Sequence, residues 1–342
     1  MKISTFVSVG ENIHCTRIYK VGGAFCKPAG AGHAIFYRTA EGEKQLPVPA
    51  EFTTRADWEN GKVKHCAVAI WQGVYGSGAA QASGIDYLQN LARQQEASGA
   101  TYLDINVDEF STDVAERVRL MQWTVDVVQK AVAIPMSIDS SNIDILKAGL
   151  DACDPSRGRP MVNSVSLERA DAVAISRAAN AVVIASAAGA EGLPNTMEER
   201  MVNIDAIYQQ LVAAGFDKAA MHFDPLVFPI STDGENGVRF LNTVKAIRQK
   251  YGPEVHIVAG LSNISFGMPS RKLINQVYTW LACEAGGDGG IVDPMQINIG
   301  ILNGLDTESE PFKLARALLL GEDEYGMEYI SASRDGRLGK AD

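Results

Sequence analysis

The sequence predicts a single (β/α)8, or TIM, barrel. Three observations carry this: short apolar β-rich runs alternate with longer helix-period segments from about residue 84 onward, eight such runs are found once both ends of the chain are counted, and polar residues gather where the runs end. The 342 residues are 46% hydrophobic and 21% charged, enough apolar material to bury a large core. Barrels of about 250 residues or more fold as one unit, so residues 1–342 are read as one domain carrying an insertion.

Taken in order, the first strand is expected at 3–9. Residues 15–83 then break the rhythm with many Gly and Pro residues. Within them AlaIlePheTyrArgThr at 34–39 and LysGlnLeuProVal at 44–48 flank AlaGluGlyGlu and predict a β-hairpin. An inserted segment after strand 1 emerges on the C-terminal face of the barrel, and its aromatics Phe36, Tyr37, Trp58, Trp71 and Tyr75 read as an exposed edge for a partner protein or a homodimer contact. A helix is expected over about 84–98 and a strand at 101–106. The next helix carries Val114, Val118, Met121, Val125 and Val128 as one buried stripe. Further strands follow at 134–139, 160–164, 181–185, 220–224, 256–260 and 290–293, each pair separated by a helix-like segment.

The polar residues at these ends are Glu11, Asp104, Asn106, Asp139, Asn163 and Asp224. Each alone could be a helix cap. Together, at the C-terminal ends of barrel strands, they describe a polar binding mouth. The net charge of −10, with no dense basic stretch in the sequence, disfavours nucleic acid as a partner. No run of 18 apolar residues marks a membrane span, and the first nine residues are too short for a secretory core. Five cysteines, an odd number, read as reduced thiols of a cytoplasmic protein. His14, Cys15, Cys26, His33, His65 and Cys66 supply enough nitrogen and sulfur for a zinc ion, but no Cys-x-x-Cys pair exists, so structural roles without a metal are the preferred reading.

Several separated motifs carry a family resemblance. GlyGluAsnIle at 10–13, TyrLeuAspIleAsnVal at 102–107, IleAspSerSerAsn at 138–142, ValAsnSer at 162–164, PheAspProLeuValPhePro at 223–229 and GlyLeuSerAsnIleSerPheGlyMetProSerArg at 260–271 occur in one order. This order resembles the pterin-binding methyltransferases, which include methyltetrahydrofolate:corrinoid methyltransferase and the folate module of cobalamin-dependent methionine synthase. The resemblance covers roughly residues 1–14 and 84–320, and its last motif is the most specific. It implies a methyltransferase moving a methyl group between N5 of tetrahydrofolate, or 5-methyltetrahydrofolate, and the cobalt of a corrinoid. No Asp-x-His-x-x-Gly signature for a corrinoid occurs in the chain, so the corrinoid is expected on a separate protein.

Carried over position by position, the resemblance implies that Asp139 and Asp224 accept from the pterin's ring N–H and amine, with Asn163 completing that recognition. Asn263 is expected beside N5, as the catalytic residue. Arg271 is expected at the ring's polar edge or the folate tail, Asp104 and Asn106 beneath the site, and Glu11 in the opening motif of the binding mouth. The chain departs from the family at Asn12 and His14, at ValAspGluPhe after Asn106, and in the length of the 15–83 insertion. Two rival readings share the barrel. Dihydropteroate synthase is echoed by SerArgLys at 270–272, but its loops after the first and second strands are missing; the other rival is a folate-binding protein without catalysis. Neither sequence nor resemblance fixes the direction of transfer.

Overall fold

The structure, a computed structural model, describes residues 2–190 and 192–339. β1 (Val7–His14) is followed by five short strands, β2 (Ile18–Lys20), β3 (Cys26–Ala29), β4 (Gly32–Thr39), β5 (Gly42–Pro47) and β6 (Lys62–Lys64). The later strands are β7 (Tyr102–Asn106), β8 (Met136–Asp139), β9 (Met161–Val165), β10 (Val182–Ser186), β11 (Met221–Asp224), β12 (His256–Ala259) and β13 (Gly289–Val292). β1 and β7 to β13 form a closed barrel in the order β1-β13-β12-β11-β10-β9-β8-β7, and helices lie between the strands, as in a TIM barrel. These strands are rich in β-branched residues buried on both faces, as a parallel sheet covered by helices requires; all five residues of β10 are buried.

The chain groups into two compact units, one of residues 1–10, 98–102 and 161–342, the other of residues 11–97 and 103–160. In the first, β1 pairs with β13 from Val7↔Gly289 to Gly10↔Val292. Helix Met197–Ala213 begins with a reciprocal capping box, the Thr196 hydroxyl taking the Glu199 N–H while the Glu199 carboxylate takes the Thr196 N–H. The strand expected at 3–9 starts later, at Val7. The backbone of Ile3 is instead held by a side chain, since Ile3 N donates to Asn303 Oδ1 (2.8 Å) and Asn303 Nδ2 donates back to Ile3 O (2.9 Å). Glu11 therefore lies within β1 and not after it.

In the second unit the hairpin at 34–48 is present, with Tyr37↔Lys44 and Thr39↔Gly42 in register, and β3 adds a third strand on its other edge. The helix expected over 84–98 begins earlier and spans Gly78–Ala97. The insertion also contains a helix that the sequence reading missed, His65–Tyr75, whose apolar residues run on without a helical gap. Of the five aromatics expected to be exposed only Tyr75 is; Phe36, Tyr37, Trp58 and Trp71 are half-buried. Tyr37 is covered by docking against helix Gly78–Ala97, where its hydroxyl donates to Asp86 (2.7 Å), its ring meets Tyr87 edge-on, and Asn90 and Gln94 donate to the neighbouring Arg38 carbonyl, while Trp58 packs edge-on against His33 and Trp71 donates to Glu51 (2.8 Å).

Helices His65–Tyr75 and Gly78–Ala97 approach each other through Gly84, where an added Cβ would stand 2.5 Å from Ala69 O and 2.6 Å from Gly73 N. Both neighbours are backbone and cannot swing aside. Gly84→Ala is expected to destabilise the protein by about 1–3 kcal/mol through overpacking, and a thermal unfolding midpoint equal to that of the native protein would contradict this contact. No helix among the described residues is long and apolar enough to cross a membrane.

Candidate active site

In the second unit, the ends of β1, β7 and β8 converge on one carboxylate. Asp139, the last residue of β8, accepts through Oδ2 from His14 Nε2 (2.8 Å) and from Asn106 Nδ2 (2.9 Å). Its Oδ1 has no hydrogen-bond donor among the described residues, and the side chain is 25% exposed, so one oxygen is fixed by two donors while the other faces outward. Asp104 on β7 is buried, with its Oδ2 3.9 Å from His14 Nε2. Asn106 Oδ1 accepts the Asp108 N–H (2.9 Å), which fixes the amide that reaches Asp139. Glu11 is paired with Arg17 at 2.6 Å.

Asp108 lies in the ValAspGluPhe segment where the sequence departs from the resembled family. It accepts from Ser140 Oγ (2.6 Å) and from both the N–H (2.7 Å) and hydroxyl (2.8 Å) of Ser141, tying the loop after β7 to the loop after β8. Capping of the adjacent helices falls to other residues: Asp113 takes the Ala115 N–H, and Asn142 takes those of Asp144 and Ile145. Asp139 is thus not used as a cap.

His14, Asp104 and Asp139 form the one group among the described residues whose imidazole and carboxylate atoms lie within 4.8 Å of one another, the separation that metal ligands need. His14 and Asp139 already satisfy each other by a hydrogen bond. The six histidines and cysteines weighed at the sequence level for zinc form no such group among the described residues. Cys66 donates to the Asn12 carbonyl, and burial pushes its thiol up to about 12. His65 bonds Tyr87, and burial pulls its imidazole down to about 3. All five cysteines are free thiols.

In the first unit, Asp224 ends β11 and its Oδ1 accepts the Leu226 N–H (2.8 Å). Its other oxygen has no donor among the described residues. Burial raises its carboxyl to about 6, against the lowering influence of the Leu226 N–H and the Arg200 charge. Arg200 itself was not foreseen. It is fully buried, its Nε and both Nη atoms have no partner among the described residues, and its guanidinium lies 5.2 Å from the Phe228 ring centroid. It is the only basic residue of helix Met197–Ala213 and falls in step with the buried Ile204, Ile207 and Leu211, which sets it apart from the exposed Glu198 and Glu199.

Asn163 lies inside β9, two residues before its end, and is joined to Ser164 by a cis peptide. Asn263 is exposed in the turn after β12, Leu261–Ser265. Arg271 braces that turn, with Nε on Ser265 Oγ (3.0 Å), Nη2 on Ser262 O (3.2 Å) and its guanidinium 4.5 Å from the Phe266 ring centroid.

The chain matches the profile of the pterin binding enzyme family. That profile matches residues 78–293, more than half of the chain, and the protein belongs to this family. The methylcorrinoid:tetrahydrofolate methyltransferase of Eubacterium limosum is 31% identical over 261 residues, covering 74% of this chain and 89% of that protein. The methionine synthase of Mycobacterium leprae (strain TN) is 28% identical over 223 residues, 61% of this chain but only 18% of that longer protein. Among solved structures, dihydropteroate synthase from Stenotrophomonas maltophilia is similar with a TM-score of 0.52 at 17% identity, covering 64% of this chain and 86% of that one, a likeness of fold.

Proposed function

We propose that this enzyme transfers a methyl group between a corrinoid carried by a separate protein and N5 of tetrahydrofolate, in the direction that the name of the Eubacterium limosum relative gives, from methylcorrinoid to folate. The observation that supports it most is made in each unit by itself, at Asp139 in one and at Asp224 in the other. Each carboxylate has one oxygen engaged by protein donors and one without a donor among the described residues. The 2-amino-4-oxo edge of a pterin presents adjacent N–H donors, and carboxylates in a water-poor mouth bind such donors with charge-assisted bonds. On this reading Asn163 completes pterin recognition, and Asp104 and Asn106 support Asp139 from beneath. Glu11, held by Arg17, keeps β1 in place beside them.

Asn263 is the residue proposed to act at N5. Its amide can donate or accept, which suits an atom whose charge changes as the methyl group arrives or leaves. The corrinoid supplies a cobalt that accepts and donates methyl groups, and this chain supplies position and polarity around N5. Arg271 is proposed to act through the turn it braces as well as at the polar edge of the ring. The insertion at 15–83 is proposed to serve the partner-protein or homodimer contact, with Tyr75 as its exposed aromatic.

Purified protein is expected to convert cob(I)alamin and 5-methyltetrahydrofolate to methylcobalamin, the reverse direction of the same reaction, followed by its spectrum. Tight folate binding with no spectral change would leave the non-catalytic reading. Formation of dihydropteroate from a pterin diphosphate and 4-aminobenzoate would instead identify a dihydropteroate synthase.

A further inference from the structure

We infer that His14 is a positioning residue for pterin recognition: it fixes the Asp139 carboxylate and couples folate affinity to its own proton. The inference rests on the proposed role of Asp139.

The geometry around the imidazole is complete on both sides. Nε2 lies 2.8 Å from Asp139 Oδ2 and 3.9 Å from Asp104 Oδ2, and Nδ1 lies 2.7 Å from Thr16 Oγ1. A threonine hydroxyl either donates or accepts, so the Thr16 contact is satisfied whether Nδ1 carries a proton or not. Nε2 donates to Asp139 in both states. What changes is charge: protonated His14 is a cation between two carboxylates, and neutral His14 leaves those carboxylates facing each other without it. Because Asn106 and His14 both bond Oδ2, they set the direction of Oδ1, the oxygen left for a ligand.

The charged groups around the ring come from β7, β8 and the segment after β1. β8 contributes Asp139, β7 contributes Asp104 along with neutral Asn106, and the segment after β1 contributes Arg17, which is paired with Glu11. Burial opposes protonation of His14, and Arg17 adds to that. The hydrogen bond to Asp139 and the charges of Asp139 and Asp104 outweigh both, so its pKa lies above the ordinary 6.5. The stabilisation from this cation is therefore complete below 6.5 and is lost as pH rises through the raised value. Above that value the bond to Asp139 weakens from charge-assisted to ordinary, and Asp139 is held less firmly.

The test is the dissociation constant of tetrahydrofolate, measured anaerobically from pH 5.5 to 9 for the native protein and for His14→Gln, His14→Ala and Asp139→Asn. Native affinity is expected to fall roughly fivefold on the alkaline side, the difference between a charged and a neutral donor. His14→Gln keeps a neutral donor near Asp139 without a titrating group, so it should bind at all pH values about as the native protein does on the alkaline side, roughly fivefold weaker than native at acid pH, and show no alkaline fall. His14→Ala should lose both affinity and the alkaline fall. An alkaline fall that persists in both His14 variants overturns the inference, and if His14→Ala does not fold, His14→Gln alone decides it. Native affinity that changes on adding Zn²⁺ or on removing metals with EDTA also overturns it, because the cluster would then be a cation site. Asp139→Asn binding folate at native strength overturns the pterin site itself. Loss of binding in Asp139→Asn with unchanged profiles in the His14 variants removes only the role of His14.

Discussion

Asp224→Ala is expected to weaken tetrahydrofolate binding by roughly 5- to 150-fold, the equivalent of 1–3 kcal/mol for ligand donors left facing an apolar gap. The pH dependence makes this specific. Burial raises the Asp224 carboxyl to about 6, so in the native protein the acceptor becomes a protonated acid as pH falls through that value, and affinity should fall with it. Asp224→Ala should remove that acid-side fall. The sign for stability is opposite. A carboxyl whose folded value lies above its unfolded value favours folding most below the unfolded value of 3.8, and that contribution is lost as pH rises through about 6. Asp224→Asn should therefore unfold at a higher temperature than the native protein at pH 7 to 8 while binding folate less well. Titration curves for Asp224→Ala that superimpose on the native curves would refute the pterin assignment.

Asn263→Ala is expected to lower the methyl-transfer rate by about 100-fold with little change in folate affinity, as removal of one positioned dipole at a reacting atom does. The turn that carries Asn263 keeps its place without the side chain. Its backbone is closed by Asn263 N on Gly260 O and Phe266 N on Asn263 O, and Arg271 holds it from outside through Ser262 and Ser265. An added Cβ on Gly260 would lie 3.0 Å from Asn263 Nδ2, so a larger residue there would press on the amide. Rapid-mixing kinetics at saturating folate would separate rate from binding. Full turnover would remove Asn263 from the mechanism, and a loss confined to binding would reassign it to recognition.

The barrel was legible because alternation and strand length survive without knowledge of contacts. Val182–Ser186 and Met136–Asp139 could be read from their apolar runs alone. The start of β1 could not, because Ile3 and Phe6 are as apolar as any strand residue, while the Ile3 backbone is bonded to the side chain of Asn303, 300 positions away. The helix His65–Tyr75 was missed because it is buried on nearly all sides and so has no polar face to give it a period. At the site, Asp139 and Asp224 stood out as acids at strand ends. Which oxygen each presents could not be read, since that depends on His14, Asn106 and the Leu226 N–H. Arg200 was legible in part, as the one basic residue of its helix and in step with the buried Ile204, Ile207 and Leu211; that its guanidinium has no partner among the described residues is a property of the packing.

The pairing of β1 with β13 also orders how this chain acquires its shape. Val7 and Gly289 are 282 positions apart (289 − 7), whereas the hairpin of β4 and β5 and its docking on helix Gly78–Ala97 join residues within about 60 positions of one another. Contacts between distant positions form late because a large loop must close before they bring any gain. During synthesis the inserted sheet and its helix can assemble while most of the chain is still unmade, but the seam of the barrel cannot form until β13 has emerged. Until then the edge of β1 exposes unpaired backbone, which makes the interval before closure the stage at which nascent chains are most open to mispairing with one another.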